Sequence, residues 1–393
     1  MIFFDEIIIG SGPCAIGYLA GIDKKRNVAI ISNDLKPQDQ TRKSHPKLTF
    51  EGMSSAFYFQ NDKLPITTSL SGLTVSWGGV LIAGNYNDFV SMYPSLDITV
   101  REFDAARLDL IRYLKSYLKV CINTKEDKCI ITIDSESKYG WENRGLSLMP
   151  LLNHLLKTKK LDFYLDDVSS IKYLPDEKLY EISGAKIKYL SKKVVLAAGV
   201  PGNLKFLDDL NIDFNPVNDH SPIQFLVLAN SDNFSSRFHA PKNSPISAVI
   251  DHKEESISVI YDPRKLSRIG LSKILNQNFI MQAISNAKFF SYRFYFVQTW
   301  EGSSISCVQP NSLNKIKIFM CLFDMFKKFG VIPLMFKKTE FGSGFHYQAE
   351  IGSSYDENLI PLGGVSVKKL PYYHPTFMFM LHSYLLSKRY CNS

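Results

Sequence analysis

At 393 residues and 45% apolar composition, the chain is long enough for two domains or one elaborated one. Its net charge of +8 comes without a basic block or a nucleic-acid motif, which argues against nucleic acid as a partner and suits a diphosphate cofactor, an acidic substrate, an anionic membrane surface or simply a mildly basic protein. Six cysteines with no Cys-x-x-Cys pair and no Cys/His cluster argue against a zinc or disulfide framework.

The chain is organised around Asp5 to Leu19. The apolar run Ile7-Ile8-Ile9 ends in Gly10-Ser11-Gly12-Pro13-Cys14-Ala15, and a helical pattern continues through Ile16, Tyr18 and Leu19. Strand, glycine turn and helix in this order form the arrangement that a dinucleotide pyrophosphate needs. Gly10 permits the sharp turn, and Gly12 has no side chain to block a phosphate. Ala15, in the third glycine position, lets the helix lie close to the sheet. The first free N–H groups of the helix, aided by its dipole, then point at the phosphates. Cys14 reads as packing. Acidic Asp5 and Glu6 come at once, with no signal-peptide pattern, so the cytoplasm is the expected compartment.

Asn27 to Ile31 reads as a second parallel strand. Nucleotide-binding folds often carry an acid at the end of this strand to hold ribose hydroxyls. Here Ser32 and Asn33 occupy the end and Asp34 follows; Ser32 or Asp34 takes that role, or the position is a plain polar loop. Residues 35–70 read as irregular, with His45 a loop histidine. Small residues then flank one bulky aromatic in Val75-Ser76-Trp77-Gly78-Gly79, a run that lets backbone approach something flat. Phe103 to Leu118 is an amphipathic helix, and residues 120–140 form a polar, hairpin-like excursion. Ser147 to Leu156 is helical. Phe163 to Val168, Ile171 to Leu174, Leu179 to Ser183 and Ala185 to Leu190 read as short strands. Lys192 to Gly199 is a further buried strand ending in glycine, with a helix from Pro201 to Leu210.

From about 215 to 340, strand-like segments (Ile223 to Ala229, Ser256 to Tyr261, Phe289 to Gln298) alternate with helical ones (Leu271 to Ala287, Leu313 to Phe329). Ile316 to Phe336 is apolar but too interrupted by charge, Gly330 and Pro333 for a membrane span. It reads as a buried helix, with peripheral membrane contact as the alternative. The last fifty residues are rich in glycine and aromatics, and a helix runs to Arg389.

Four separated pieces resemble the glucose-methanol-choline (GMC) family of FAD-dependent oxidoreductases. Gly10 to Ala15 looks like the family's FAD turn. Gly72-Leu-Thr-Val-Ser76-Trp77-Gly78-Gly79 is similar to the run that passes along the isoalloxazine ring. Val194-Val-Leu-Ala-Ala198-Gly199 is similar to its V-V-L-A-A-G strand, and Gly364-Val-Ser366 through His374-Pro375-Thr376 to its C-terminal motif. The resemblance implies an α/β fold: a discontinuous Rossmann-like FAD-binding domain of the GMC type (1–90, 141–214 and 341–393), with 91–140 as a helical and hairpin excursion. A second, α+β substrate domain built on an antiparallel sheet would occupy 215–340.

The implied chemistry is oxidation of an alcohol, a sugar or related polyol. A base takes the hydroxyl proton while the carbon delivers hydride to flavin. His346 matches the family's first catalytic position and His374 the second. An imidazole titrating near neutrality suits a general base, and a partner imidazole can hold the developing alkoxide. The backbone at Gly78 and Gly79 would approach the flavin edge, with Trp77 packed by the ring. Val168 would contact the adenine side and Gly199 the pyrophosphate or ribose. Ser366, Pro375 and Thr376 would border the pyrimidine end. Ser76 stands where some relatives carry the histidine that bonds flavin covalently, so noncovalent FAD is expected. The resemblance leaves the electron acceptor open among oxygen, a quinone and a protein. It also leaves open a non-redox lyase or isomerase that keeps FAD as scaffold, and a degenerate FAD-fold binding module.

Overall fold

The computed structural model describes residues 1–22, 27–33, 80–118, 120–125, 128–133, 148–214, 347–352, 357–368, 370–371 and 375–392, together with the backbone of the strands at 47–49, 63–65, 222–229, 246–252, 255–261, 288–295, 301–303, 306–308 and 331–337. β1 (Ile2–Ile9) leads through the glycine turn into α1 (Pro13–Gly21), and β2 (Val28–Ser32) follows. β3 (Lys47–Thr49) and β4 (Lys63–Pro65) pair with each other inside the stretch expected to be irregular. β5 (Val80–Ala83) precedes α2 (Tyr86–Met92) and α3 (Val100–Tyr117). Both helices open on capping boxes, Asn85 with Asp88 and Thr99 with Glu102. The expected excursion is a hairpin of β6 (Val120–Lys125) and β7 (Lys128–Ile133), and β5 adds to its β7 edge.

The chain then returns through α4 (Met149–Lys159), β8 (Asp162–Leu165), β9 (Val168–Leu174), β10 (Leu179–Gly184), β11 (Lys188–Leu196) and α5 (Gly199–Asp209). Next come β12 (Pro222–Ala229), β13 (Ile246–His252), β14 (Glu255–Tyr261), β15 (Lys288–Tyr295), β16 (Glu301–Ser303), β17 (Ser306–Val308) and β18 (Val331–Lys337). β19 (Leu359–Pro361), a 3-10 turn at Gly363–Val365 and α6 (Thr376–Asn392) complete the described chain.

The fold is mixed α/β. Its principal sheet has seven strands in the order β8-β2-β1-β11-β10-β9, with β19 beside β11. β8, β2, β1, β11 and β19 are mutually parallel, whereas β9 and β10 form an antiparallel meander feeding β11. The carboxyl halves of β1 (Ile7–Ile9) and β11 (Val194–Leu196) are apolar runs because both their faces are covered. On one face Ile8 and Ile30 pack with Ala15, Ile16 and Leu19 of α1 and with Phe377 and Leu381 of α6. On the other, Ile7, Ile9 and Ile31 pack with Leu204 and Leu207 of α5.

β11 corrects one expectation. The sequence suggests two strands, Ala185 to Leu190 and Lys192 to Gly199, broken at Ser191, but one strand runs through, paired with β1 from Tyr189 opposite Ile2 to Leu196 opposite Ile9. The polar break is absorbed locally. Ser191 is buried with its hydroxyl bonded to the Lys193 carbonyl at 2.7 Å, and Lys192 reaches out to Asp5 at 2.9 Å. The free edge of β11 is shared, its first half by β10 and its last three residues by β19.

The second sheet has five antiparallel strands in the order β13-β14-β15-β12-β18. β18 corrects the reading of Ile316 to Phe336 as helical to its end, since Val331–Lys337 is a strand. Pro333 is tolerated because a register shift against Leu226/Val227 interrupts the ladder there. The helical segments expected at 271–287 and 313–329 lie outside the described residues. Among the described residues, no helix is long and apolar enough to cross a membrane.

Candidate active site

The sheet changes winding direction between β1 and β11. β1 leads through α1 to β2 on one side, and β11 leads through α5 with β19 on the other. The two helices start at adjacent strand ends and cover opposite faces, which makes the carboxyl ends of β1 and β11 a topological switch point. Doubly wound sheets bind ligands at such a switch point.

Gly10 sits at its centre. Its φ of +107° requires glycine, and a Cβ there would strike the carbonyl of Ala197 at the end of β11. The Gly10 N–H donates to Ile31 O at 2.8 Å and the Ala197 N–H to Ile9 O at 2.8 Å, so three strand ends are tied around the turn. Gly12 is the N-cap of α1, with extended backbone and no side-chain cap, and Pro13 opens the helix. The first-turn N–H groups are therefore left for a ligand or water. Ala15 is fully buried against the sheet, as a close helix–strand approach demands. Because Gly12 has ordinary backbone angles, Gly12→Val is expected to fold with an unfolding midpoint within a few degrees of wild type. Its branched side chain would fill the space at the helix start that a phosphate would need.

On the β2 side, the hydroxyls of Ser11 and Ser32 lie 2.7 Å apart, both buried. Beside them the Asp166 N–H donates to Ser32 O at 3.2 Å, bolting the exit of β8 to the end of β2. The buried Asp166 carboxylate accepts from the amides of Asp167, Lys186 and Ile187 and from the Tyr189 hydroxyl, all within 3.2 Å. Burial and that carboxylate together push the Tyr189 phenol up. Val168 starts β9 opposite Gly184, at a register shift, with its side chain in the core. Only its backbone edge is left to meet a ligand.

On the β11 side, Ala198 and Gly199 are exposed. Gly199 holds a φ of +75° with no atom of the described residues beyond its own surroundings in the chain within 4 Å of where a Cβ would stand. Asn203 sets this turn from beneath. Its carboxamide accepts from the Ala198 N–H at 2.8 Å and donates to Leu196 O at 3.0 Å and Leu362 O at 3.1 Å. Next to it runs the loop after β19. Gly363, with φ +75°, lies against Cys14 Sγ of α1. The Ser366 hydroxyl donates to Pro361 O at 3.2 Å. Burial pushes the Cys14 thiol up to about 12, which makes it a packing group that shares a hydrogen bond with Ser383, not a nucleophile.

α6 lies along α1. A Cβ on Gly17 would strike the Met380 backbone, and one on Gly21 would strike Tyr384 and Ser387. Equal advance on both helices means that they run in the same direction, which puts Thr376 level with Pro13. Pro375 is buried and Thr376 half-buried at the start of α6. Deeper in this interface, His382 stacks on Tyr93 with ring centroids 3.8 Å apart and planes 4° from parallel. Among the described residues its Nδ1 has no hydrogen-bond partner, and burial lowers its pKa to about 3.

Asp34, Ser76, Trp77, Gly78, Gly79, His346 and His374 lie outside the described residues. Those that are described, from Gly10 through Ala15 with Ser32, Val168, Ala198, Gly199, Ser366, Pro375 and Thr376, line the carboxyl end of the principal sheet or the elements leaving it. Asp166, Asn203, Gln348 and His382 did not stand out as functional in the sequence. The one visible signal was a lone histidine within the apolar run Met378-Phe-Met-Leu-His382.

The donor set fits a dinucleotide pyrophosphate. It offers an uncapped helix start, a positive-φ glycine with open space above it among the described residues, and a hydroxyl pair at the end of β2. No family model and no curated protein matches the chain. Solved structures similar to it include the Diels-Alderase PyrE3 of the pyrroindomycin pathway, at 8% identity and TM-score 0.41, covering 97% of this chain and 64% of that one. Another is a flavoprotein/dehydrogenase from Cytophaga hutchinsonii, at 11% identity and TM-score 0.42, covering 99% of this chain and 79% of that one. A third is NikD, an unusual amino acid oxidase essential for nikkomycin biosynthesis, at 10% identity and TM-score 0.40, covering 98% of this chain and 94% of that one. The chain thus spans less than two thirds of PyrE3. Likeness at this level carries no activity across.

Proposed function

We propose that the chain binds FAD noncovalently and oxidises an alcohol of the sugar or polyol type, as a short and divergent relative of the GMC enzymes. The observation that carries the cofactor half is the β1/β11 switch point, framed by Gly10 and Gly199, each with positive φ. Gly12 and the first amides of α1 would hold the pyrophosphate. Ser11 and Ser32 would meet a ribose, and the β9 edge at Val168 the adenine. Ser366 and the start of α6 at Thr376 would border the pyrimidine end. When bound, FAD supplies a hydride acceptor.

In this reading the chain's own residues orient the alcohol and move one proton. An imidazole nitrogen of His346 takes the hydroxyl proton, and His374 donates to the same oxygen as its negative charge grows. Support for grouping the two is topological. Tyr347, which directly follows His346, has its carbonyl beside Gly364, and Pro375, which follows His374, leads into the helix start level with Pro13. Trp77, Gly78 and Gly79 would close the other side of the ring.

Anaerobic addition of an alcohol panel to the FAD-loaded protein tests the proposal. Bleaching of the flavin absorbance by at least one alcohol is expected. A flavin that no alcohol bleaches would remove the redox half. His374→Ala should keep FAD but slow bleaching on the order of a hundredfold. An unchanged rate takes His374 out of the chemistry.

A further inference from the structure

Gln348 is a buried amide, 6% exposed, two residues beyond His346. Its Nε2 donates to Val367 O and to Lys368 O, both at 2.8 Å. The backbone completes the link. The Ala349 N–H donates to Gly364 O at 2.9 Å, and Glu350 bridges Ser366 antiparallel. The far side of the same loop is fastened as well, with the Lys368 N–H on Met92 O at 2.9 Å and the Tyr93 hydroxyl on Gly363 O at 3.4 Å. Leu362–Lys368 is thus held from three directions, with Asn203 below. It carries a positive-φ glycine against the first turn of α1. A loop this tethered has its shape before any ligand arrives, and preorganisation of this kind is converted into affinity.

We infer that Gln348 is a positioning residue of the proposed flavin site, locking the Tyr347–Gly352 segment to the Leu362–Lys368 loop in the one register that admits the cofactor. This rests on the FAD reading above. A merely structural amide would stabilise the fold and leave cofactor binding alone.

The test is a titration of FAD into flavin-depleted, full-length protein, followed by flavin fluorescence at about pH 5.5 and 8, with thermal unfolding of the FAD-free protein alongside. Gln348→Met keeps the side-chain length and donates nothing, so its FAD dissociation constant should rise about tenfold or more at both pH values. Gln348→Glu discriminates further. Burial raises the pKa of the new carboxyl, so at the lower pH it is protonated and donates to one carbonyl. At the higher pH a carboxylate faces two carbonyl oxygens. Its affinity should be near wild type at the lower pH and fall to that of Gln348→Met at the higher. If Gln348→Met does not fold, the pH response of Gln348→Glu decides alone. Variants that bind FAD as wild type does at both pH values, even with a lowered unfolding midpoint, overturn the inference and leave the cofactor reading standing. A wild type that takes up no FAD overturns both.

Discussion

Gly10→Val is expected to destabilise the protein by about 4 kcal/mol or more and to yield no flavin-bearing product. Two independent penalties meet at this position. A φ of +107° is nearly closed to a branched residue, and the added Cβ points into the Ala197 carbonyl, which cannot yield because its own N–H is bonded to Ile9 O. Relief requires prising β11 from β1 at the switch point. Gly199→Ala separates the two penalties. It keeps the positive φ of +75° but meets open space, so only the strain of about 1–2 kcal/mol remains. Chemical unfolding of both variants checks the contrast. Equal losses would mean that the contact with Ala197 is not what fixes Gly10.

Acidification should act through His382. Burial between α6 and Tyr93 holds its imidazole neutral, with a pKa near 3 against an ordinary value of 6.5. The sign follows from proton counting. Between those values the unfolded chain carries a proton on this residue that the folded chain does not, so stability is complete above about 6.5 and falls as pH is lowered toward 3. Each unit removes about 1.4 kcal/mol, so unfolding free energy should drop by about 3 kcal/mol between pH 7 and 4.5 from this residue alone. Asp209, whose carboxyl burial holds above the usual range, works in the opposite sense. His382→Phe retains a ring to stack on Tyr93 and should flatten most of the acid slope. A variant with the wild-type slope would show that the imidazole is already protonated in the folded protein.

The glycine turn after β1 was legible because its determinants are local. An apolar strand, a glycine where φ is positive and an alanine where a helix touches a sheet all fall within a few residues of one another. The second turn at Ala198-Gly199 was visible for the same reason. The braces behind these turns were not. Asn203 bonds a carbonyl 159 residues away, and Gln348 reaches carbonyls 19 and 20 residues on. Neither spacing leaves a periodic mark. Asp166 read only as part of the strand Phe163 to Val168, because most of the groups that satisfy it belong to another hairpin. The continuity of β11 was hidden by Ser191, whose buried hydroxyl, bonded to nearby backbone, makes a polar residue acceptable within the sheet.

Whether the β1/β11 switch point is a flavin site is tested most directly by the FAD stoichiometry of the full-length protein beside Gly12→Val, measured by visible absorbance after saturation with FAD and removal of the excess. A flavin site there requires close to one FAD per wild-type chain and essentially none on the folded valine variant. A wild type that retains no flavin, or a valine variant that retains as much, would contradict it.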